Sequence, residues 1–154
     1  MVFPMSSAPS RFSDFPSDPQ LAHIKLPPHS LEAEQSLIGG VLLDNQAWER
    51  IADLVSETDF YRDDHRRIYR HITKLIDQGR PADVVTVFES LEKHGEAEPA
   101  GGIAYLAEIA NNTPSAANIR RYAEIVRERA ILRKLVAVGD EIASSALSPS
   151  RSEE

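Results

Sequence analysis

From Ala116 to Ala146 no proline interrupts the chain, and Gly139 is the only glycine. Such a run predicts one continuous α-helix of roughly 45 Å, at about 1.5 Å per residue. The residues before it can make a body of about 100 residues, whose radius of gyration near 13 Å implies a diameter of roughly 35 Å. The helix must therefore overshoot its body. On the overhang, Ile131, Leu135, Val138 and Ile142 recur at helical spacing, with Leu132, Val136 and Ala143 beside them. An isolated amphipathic helix is marginal in water, and an uncovered stripe of this size marks an interface. Those residues are the candidate interface, whereas Ile119, Tyr122 and Val126 are expected to pack on the body.

The body reads as about five short helices. Ser30 is a good N-cap, with Glu32 and Glu34 favourably placed in the first turn. Leu31, Gln35, Ile38 and Leu42 follow at helical spacing, with Leu37 and Val41 widening the stripe. The pair Gly39-Gly40 costs this helix roughly 1 kcal/mol per residue against Ala, which points to close approach by another helix. Asp44-Asn45 ends it and starts a second helix with Trp48, Ile51, Ala52 and Val55 inward. A third follows Asp63 or Asp64, carries Ile68, Ile72, Leu75 and Ile76, and stops at Gly79. Asp83 caps a fourth with Val84, Val87, Phe88 and Leu91 on one face. Its DVVTVF opening suits a strand by propensity, but no second strand exists to pair with it. The fifth runs from Gly102 through Ile103, Leu106, Ile109 and Ala110. Pro114 biases Thr113 away from helical angles, so the long helix starts after it with Ser115 as cap.

Six of the ten prolines lie in residues 1–28, a composition that cannot offset its ordering entropy and so predicts a disordered Pro/Ser-rich tail. The expected division is therefore tail 1–28, globular helical body 29–113, long helix 114–147 and a truncated linker or turn at 148–154. No apolar stretch is long enough for a membrane span, and the N-terminus lacks a secretory pattern. The absence of cysteine excludes disulfides and thiolate metal sites and is compatible with a cytoplasmic protein. A net charge of −7 argues against a dedicated DNA-binding module.

Three stretches carry a resemblance. LEAEQSLIGGVLLD at Leu31–Asp44, DFYRDDHRRIY at Asp59–Tyr69 and the run Gly101–Arg133 resemble the N-terminal domain of the bacterial replicative DNA helicase, the DnaB family. The likeness extends over about Leu26 to Leu147. It implies an all-α fold, a compact bundle followed by one long projecting helix that is the first arm of a helical hairpin. It also implies an N-terminal collar domain that associates subunits in a hexameric ring and receives primase, while the whole parent unwinds duplex DNA with ATP and magnesium and engages single-stranded DNA. The chain departs from such a parent in lacking any G-x-x-x-x-G-K-[ST] phosphate loop. No catalytic, cofactor or metal residue is therefore expected within it. The closing SPSRSEE reads as a turn from which a second hairpin arm would continue. The alternative is a free-standing helical adaptor resembling the helicase-binding domain of primase; a small single-strand binder is a third reading.

Two clusters invite chemistry. His65 and His71 are six residues apart and so fall on different helix faces, unlike an i, i+4 zinc pair; His94 suits a helix C-terminus. Asp59, Asp63 and Asp64, beside Arg62, Arg66, Arg67 and Arg70, fit caps and i, i+4 pairs better than acid/base catalysis. On the long helix Arg120, Arg121, Arg127, Arg129, Arg133 and Lys134 form a candidate basic face against Glu124 and Glu128. Its functional reading is a surface for an acidic partner or passing single-stranded DNA, and its plain reading is a solvated face with ion pairs.

Overall fold

The structure is a computed structural model that describes residues 26–149; the greater part of the expected tail, 1–25, and most of the expected linker, 150–154, lie outside them. Among the described residues the fold is all-α. Helix α1 spans Leu31–Leu43, α2 Asp63–Asp77, α3 Val84–Lys93, α4 Gly102–Asn112 and α5 Ile119–Ala146. Two 3-10 turns, Asn45–Arg50 and Glu57–Asp59, connect α1 to α2.

Local chemistry accounts for the boundaries. Ser30 Oγ accepts from the Ala33 amide at 3.3 Å and starts α1. Asp83 starts α3 through a reciprocal box, its carboxylate accepting from the Thr86 amide and Thr86 Oγ1 from the Asp83 amide, both at 2.8 Å. This capping settles DVVTVF as helix. Helix α2 stops at Gly79, whose φ of +71° lets the Arg80 amide return to the Leu75 carbonyl at 2.9 Å.

The structure alters some expectations. The second helix is a 3-10 turn over Asn45–Arg50 followed by loose turns, so Ala52 faces solvent and Trp48 is half-buried. The cause is Asn45: its amide donates to the carbonyls of Val41 and Ala82, both at 2.8 Å, and so crosslinks rather than propagates the helix. Ile103, at the entrance to α4, is exposed. The long helix begins at Ile119, not directly after Pro114, because Ser115 Oγ accepts from the Ala117 amide in a turn of its own. Ordered chain also reaches back into the expected tail, for the Pro28 carbonyl accepts from Arg133 at 2.8 Å and His29 stacks on Tyr61.

The core centres on α1. Leu37, Ile38 and Val41 are fully buried against Ile68, Tyr69 and Ile72 of α2 and Leu106, Ile109, Ile119 and Ala123 of α4 and α5. The glycine pair brings these elements together. A Cβ on Gly39 would stand 2.0 Å from Thr113 Oγ1 and 2.9 Å from the Ile109 carbonyl oxygen, and one on Gly40 would stand 3.0 Å from Ile119 Cδ1. Alanine at Gly39 would favour helix by up to about 1 kcal/mol, yet the carbonyl of α4 cannot retreat without unwinding. Gly39→Ala is expected to lower stability by about 1–3 kcal/mol in urea melts. An unchanged or raised midpoint would mean that α1 and α4 lie further apart.

Candidate assembly surface

The long helix is held only at its beginning. Ile119, Ala123 and Val126 are buried, whereas no residue from Ile131 to Leu147 is. The candidate interface residues Ile131, Leu132, Leu135, Val136, Val138 and Ile142 are between 43% and 67% exposed, and Ala143 is exposed as well. Length is one reason. The other is rotation: at about 100° per residue, this stripe lies roughly opposite the face formed by Ile119, Ala123 and Val126. A longer body would still leave it bare.

A polar joint fixes where the rod leaves the body. Asp59 closes its own 3-10 turn by accepting from the Ser56 amide at 2.8 Å, and its carboxylate takes the Arg127 guanidinium at 3.3 Å. Nearly two turns beyond, Arg133 donates to the carbonyls of Asp59 and Pro28 and lies over the Tyr61 ring at 5.5 Å. Arg133 thus ties the rod both to the segment before α1 and to the turn before α2. A notch of about 400 Å³ opens beside this joint, lined by Thr58, Asp59, Arg127, Ile131 and Lys134 among others.

The expected basic face is dispersed. Arg127 and Arg133 turn toward the body, and Arg121 pairs with Glu124 at 3.7 Å on its own helix. Arg120 and Lys134 are exposed and share a face with Arg127, since a spacing of seven drifts only about 20° around the helix. Arg129 falls roughly opposite that face. The structure brings together two of the six cations at the joint and spreads the others.

Sequence reasoning missed a polar chain that runs from half-buried Gln35 and Tyr105 to fully buried His65 and Glu34. Gln35 Nε2 donates to Tyr105 Oη at 3.1 Å, and Tyr105 Oη meets His65 Nε2 at 2.7 Å. His65 Nδ1 in turn meets Glu34 Oε1 at 2.7 Å. Glu34 Oε2 also accepts from the Tyr61 amide at 2.7 Å, just ahead of α2. Both ring nitrogens of His65 are thus paired, one with the carboxylate and one with the phenol. Glu34 therefore serves the entrance of α2 from a fully buried position, not its own helix's first turn. Its place one turn before Ile38, on the apolar stripe, was the available signal.

His71 is likewise committed, with Ser90 Oγ at 2.8 Å on Nδ1 and Glu96 Oε2 at 2.6 Å on Nε2. Both histidines spend both ring nitrogens on protein partners. His94 Nδ1 donates to the Ser90 carbonyl at 2.8 Å at the end of α3, as a helix C-terminus favours. The acidic cluster acts through caps and pairs: Asp63 takes Arg67 at 2.7 Å, and Asp64 takes Arg62 and the His65 amide. Among the described residues no group of three His, Asp or Glu is placed to hold a metal ion.

The family model described as DnaB-like helicase N terminal domain matches residues 26–128. The chain belongs to that family. It is 47% identical over 133 residues to the replicative DNA helicase DnaB of Haemophilus influenzae, covering 86% of this chain and 28% of that protein. It is 42% identical over 123 residues to the replicative DNA helicase DnaC of Bacillus subtilis, covering 80% of this chain and 27% of that one. The chain thus spans about a quarter of the length of these curated relatives. The crystal structure of the N-terminal domain of DnaB helicase from Mycobacterium tuberculosis superposes with a TM-score of 0.78 at 39% identity, covering 80% of this chain and 85% of that one. The N-terminal domain from Helicobacter pylori, described with its interactions with primase, shares the fold with a TM-score of 0.63 at 22% identity, over 75% of this chain and 90% of that one.

Acid sensitivity follows from Glu96. The hydrogen bond from His71 chiefly, opposed by burial and aided by the charges of His71, Arg70 and Arg67, holds its carboxyl below the ordinary value of 4.5. A carboxyl depressed on folding adds stability that is complete above its unfolded pKa and is lost as pH falls through the folded value. Chemical denaturation across acid pH is expected to show a shallower loss below about pH 4.5 for Glu96→Gln than for the parent. Parallel acid limbs would remove Glu96 from the account.

Proposed function

We propose that this chain is the N-terminal collar and assembly domain of a replicative DNA helicase. In this reading distal α5 associates subunits into dimers and, in the complete parent, a hexameric ring, and the collar docks primase. The observation that carries the reading is the face switch on α5, which leaves an apolar rod that its own body could not cover. Membership of the family and the names of the relatives support the helicase assignment, and the primase interactions described for the Helicobacter pylori domain support docking. Fully burying a Leu, Ile or Val is worth about 1.5–3 kcal/mol. Covering six that are about half exposed therefore stabilises association by several kcal/mol before the entropy of association is subtracted.

Duplex unwinding, ATP hydrolysis and the accompanying magnesium belong, in this proposal, to parts of the parent other than these residues. Single-stranded DNA would likewise be engaged through the parent, because the basic residues of α5 form no continuous track. The setting is the cytoplasm, where replication would take place; no helix among the described residues is long and apolar enough to cross a membrane.

Sedimentation of the chain with and without the helicase-binding domain of primase tests this proposal. The expected result is self-association at micromolar concentration and a faster-sedimenting complex when primase is added. Leu135→Glu is expected to weaken self-association at least tenfold while leaving the thermal midpoint of the body within about 2 °C, because Leu135 is 61% exposed. A chain that stays monomeric and ignores primase would overturn the assignment.

A further inference from the structure

A groove lies between the loose turns after Arg50 and the outer face of α2. It holds about 520 Å³ and is lined by Trp48, Ala52, Val55, Tyr69, Arg70 and Lys74 among others. It exists because Asn45 crosslinks instead of propagating a second helix, so the chain beyond stays loose and Ala52 faces outward. Half-buried Trp48 packs on Tyr69 with ring centroids 5.3 Å apart, and Tyr69 packs on Phe60 at 4.8 Å. Phe60 and Tyr69 are buried. The row of rings is thus open at Trp48, where a further ring would extend it and gain the stacking that such pairs supply.

Charge on the α2 rim is ordered. Arg70 is committed to Glu57 at 2.6 Å and Glu96 at 3.3 Å. One turn on, exposed Lys74 meets the His94 ring at 3.0 Å but has no carboxylate partner among the described residues. Asp77, three residues further, borders the groove and likewise has no cationic partner among them. The chain itself carries the complement. Three of its five phenylalanines, Phe3, Phe12 and Phe15, lie in residues 1–25, although a segment with no surface to bury against is normally poor in aromatics. Around Phe12, Arg11 and Asp14 set a cation and a carboxylate three residues apart, the spacing of Lys74 and Asp77.

We propose that residues 11–15 of the same chain lie in this groove antiparallel to α2, with the Phe12 ring on Trp48, Asp14 on Lys74 and Arg11 toward Asp77. The described chain begins close by. Arg133 binds both the Pro28 and the Asp59 carbonyls, and Ser56 and Glu57, which border the groove, open the turn that contains Asp59. The stretch from Phe12 to Leu26 extends to as much as about 46 Å, more than the body's diameter of roughly 35 Å, so the groove is within reach. Tethering gives the segment an effective concentration of millimolar order. A contact too weak to survive between separate molecules therefore holds within one. Exposed ion pairs add little affinity, but mismatched ones select direction. The contact concerns the body alone and stands whether or not α5 assembles.

Trp48 is the only tryptophan, so its fluorescence reads the groove directly. The described core begins at Ala33, so Phe12→Ser tests the contact without disturbing the body. In the full chain Phe12→Ser is expected to raise acrylamide quenching of Trp48 about twofold as the tethered ring is lost, and Phe3→Ser to leave it unchanged. Asp14→Lys and Lys74→Glu are each expected to raise quenching, and the two together to return it toward the parent value. Quenching in Phe12→Ser equal to the parent's overturns the proposal, whether the groove is bare or filled by something else. Charge swaps without effect overturn the direction. Protection that fades as the chain is diluted through the micromolar range assigns the groove to a second copy and overturns the intramolecular contact.

Discussion

The contact between Gly39-Gly40 and the chain running from Ile109 to Ile119 sets the geometry of the molecule. Because α1 carries no side chain at these two positions, Thr113 can hydrogen-bond to Ile109 at the very surface of α1, and Ile119 can enter the core directly afterwards. The long helix therefore begins inside the body and must leave it. Asp59 and Arg133 then decide the line of departure, by tying the rod to the turn before α2 and to the Pro28 carbonyl. From Lys134 to Leu147 no residue is buried.

The body devotes unusual polar resources to holding α2 against α1 and α4. Glu34, His65 and Tyr105 form a buried chain that ends on the amide ahead of α2, and Glu96 gathers His71, Arg67 and Arg70 on the other side. Removing one member of such a chain leaves the others buried without partners, at a cost of about 1–3 kcal/mol for each orphaned group. Helix α2 is thereby fixed in rotation as well as position. That fixes the rod as well, since Asp59 stands just ahead of α2 and binds Arg127.

An overhanging apolar rod is a liability in a monomer and a resource in an assembly. Here the apolar side chains change face partway along α5, so one side of the same helix serves the body and, in the proposed assembly, the other serves a neighbour. This division of labour suits a domain in the DnaB-like family, whose relatives are named as replicative helicases several times the length of this chain.

Much of this was legible in the amino-acid order. Caps at Ser30 and Asp83, the stop at Gly79, the break at Pro114 and the unbroken run after it are local effects, set by backbone sterics and hydrogen bonds between near neighbours in sequence. The exposed stripe from Ile131 to Ile142 was legible for the same reason, since helical spacing depends only on position along the chain. Other features depended on residues far apart in sequence. Asn45 bonds across to Ala82 and converts a helix into a 3-10 turn; Glu34 abandons its own helix end for that of α2; Arg127 and Arg133 leave a supposed basic face to bind Asp59 and Pro28. Each of these side chains had a reasonable local partner or solvent available, and no periodicity distinguishes that choice from the distant one. The sequence determined the five α-helices and that one of them outgrows the rest. Only the tertiary structure decided which polar groups meet across the fold, because that depends on the relative placement of helices that local rules leave free.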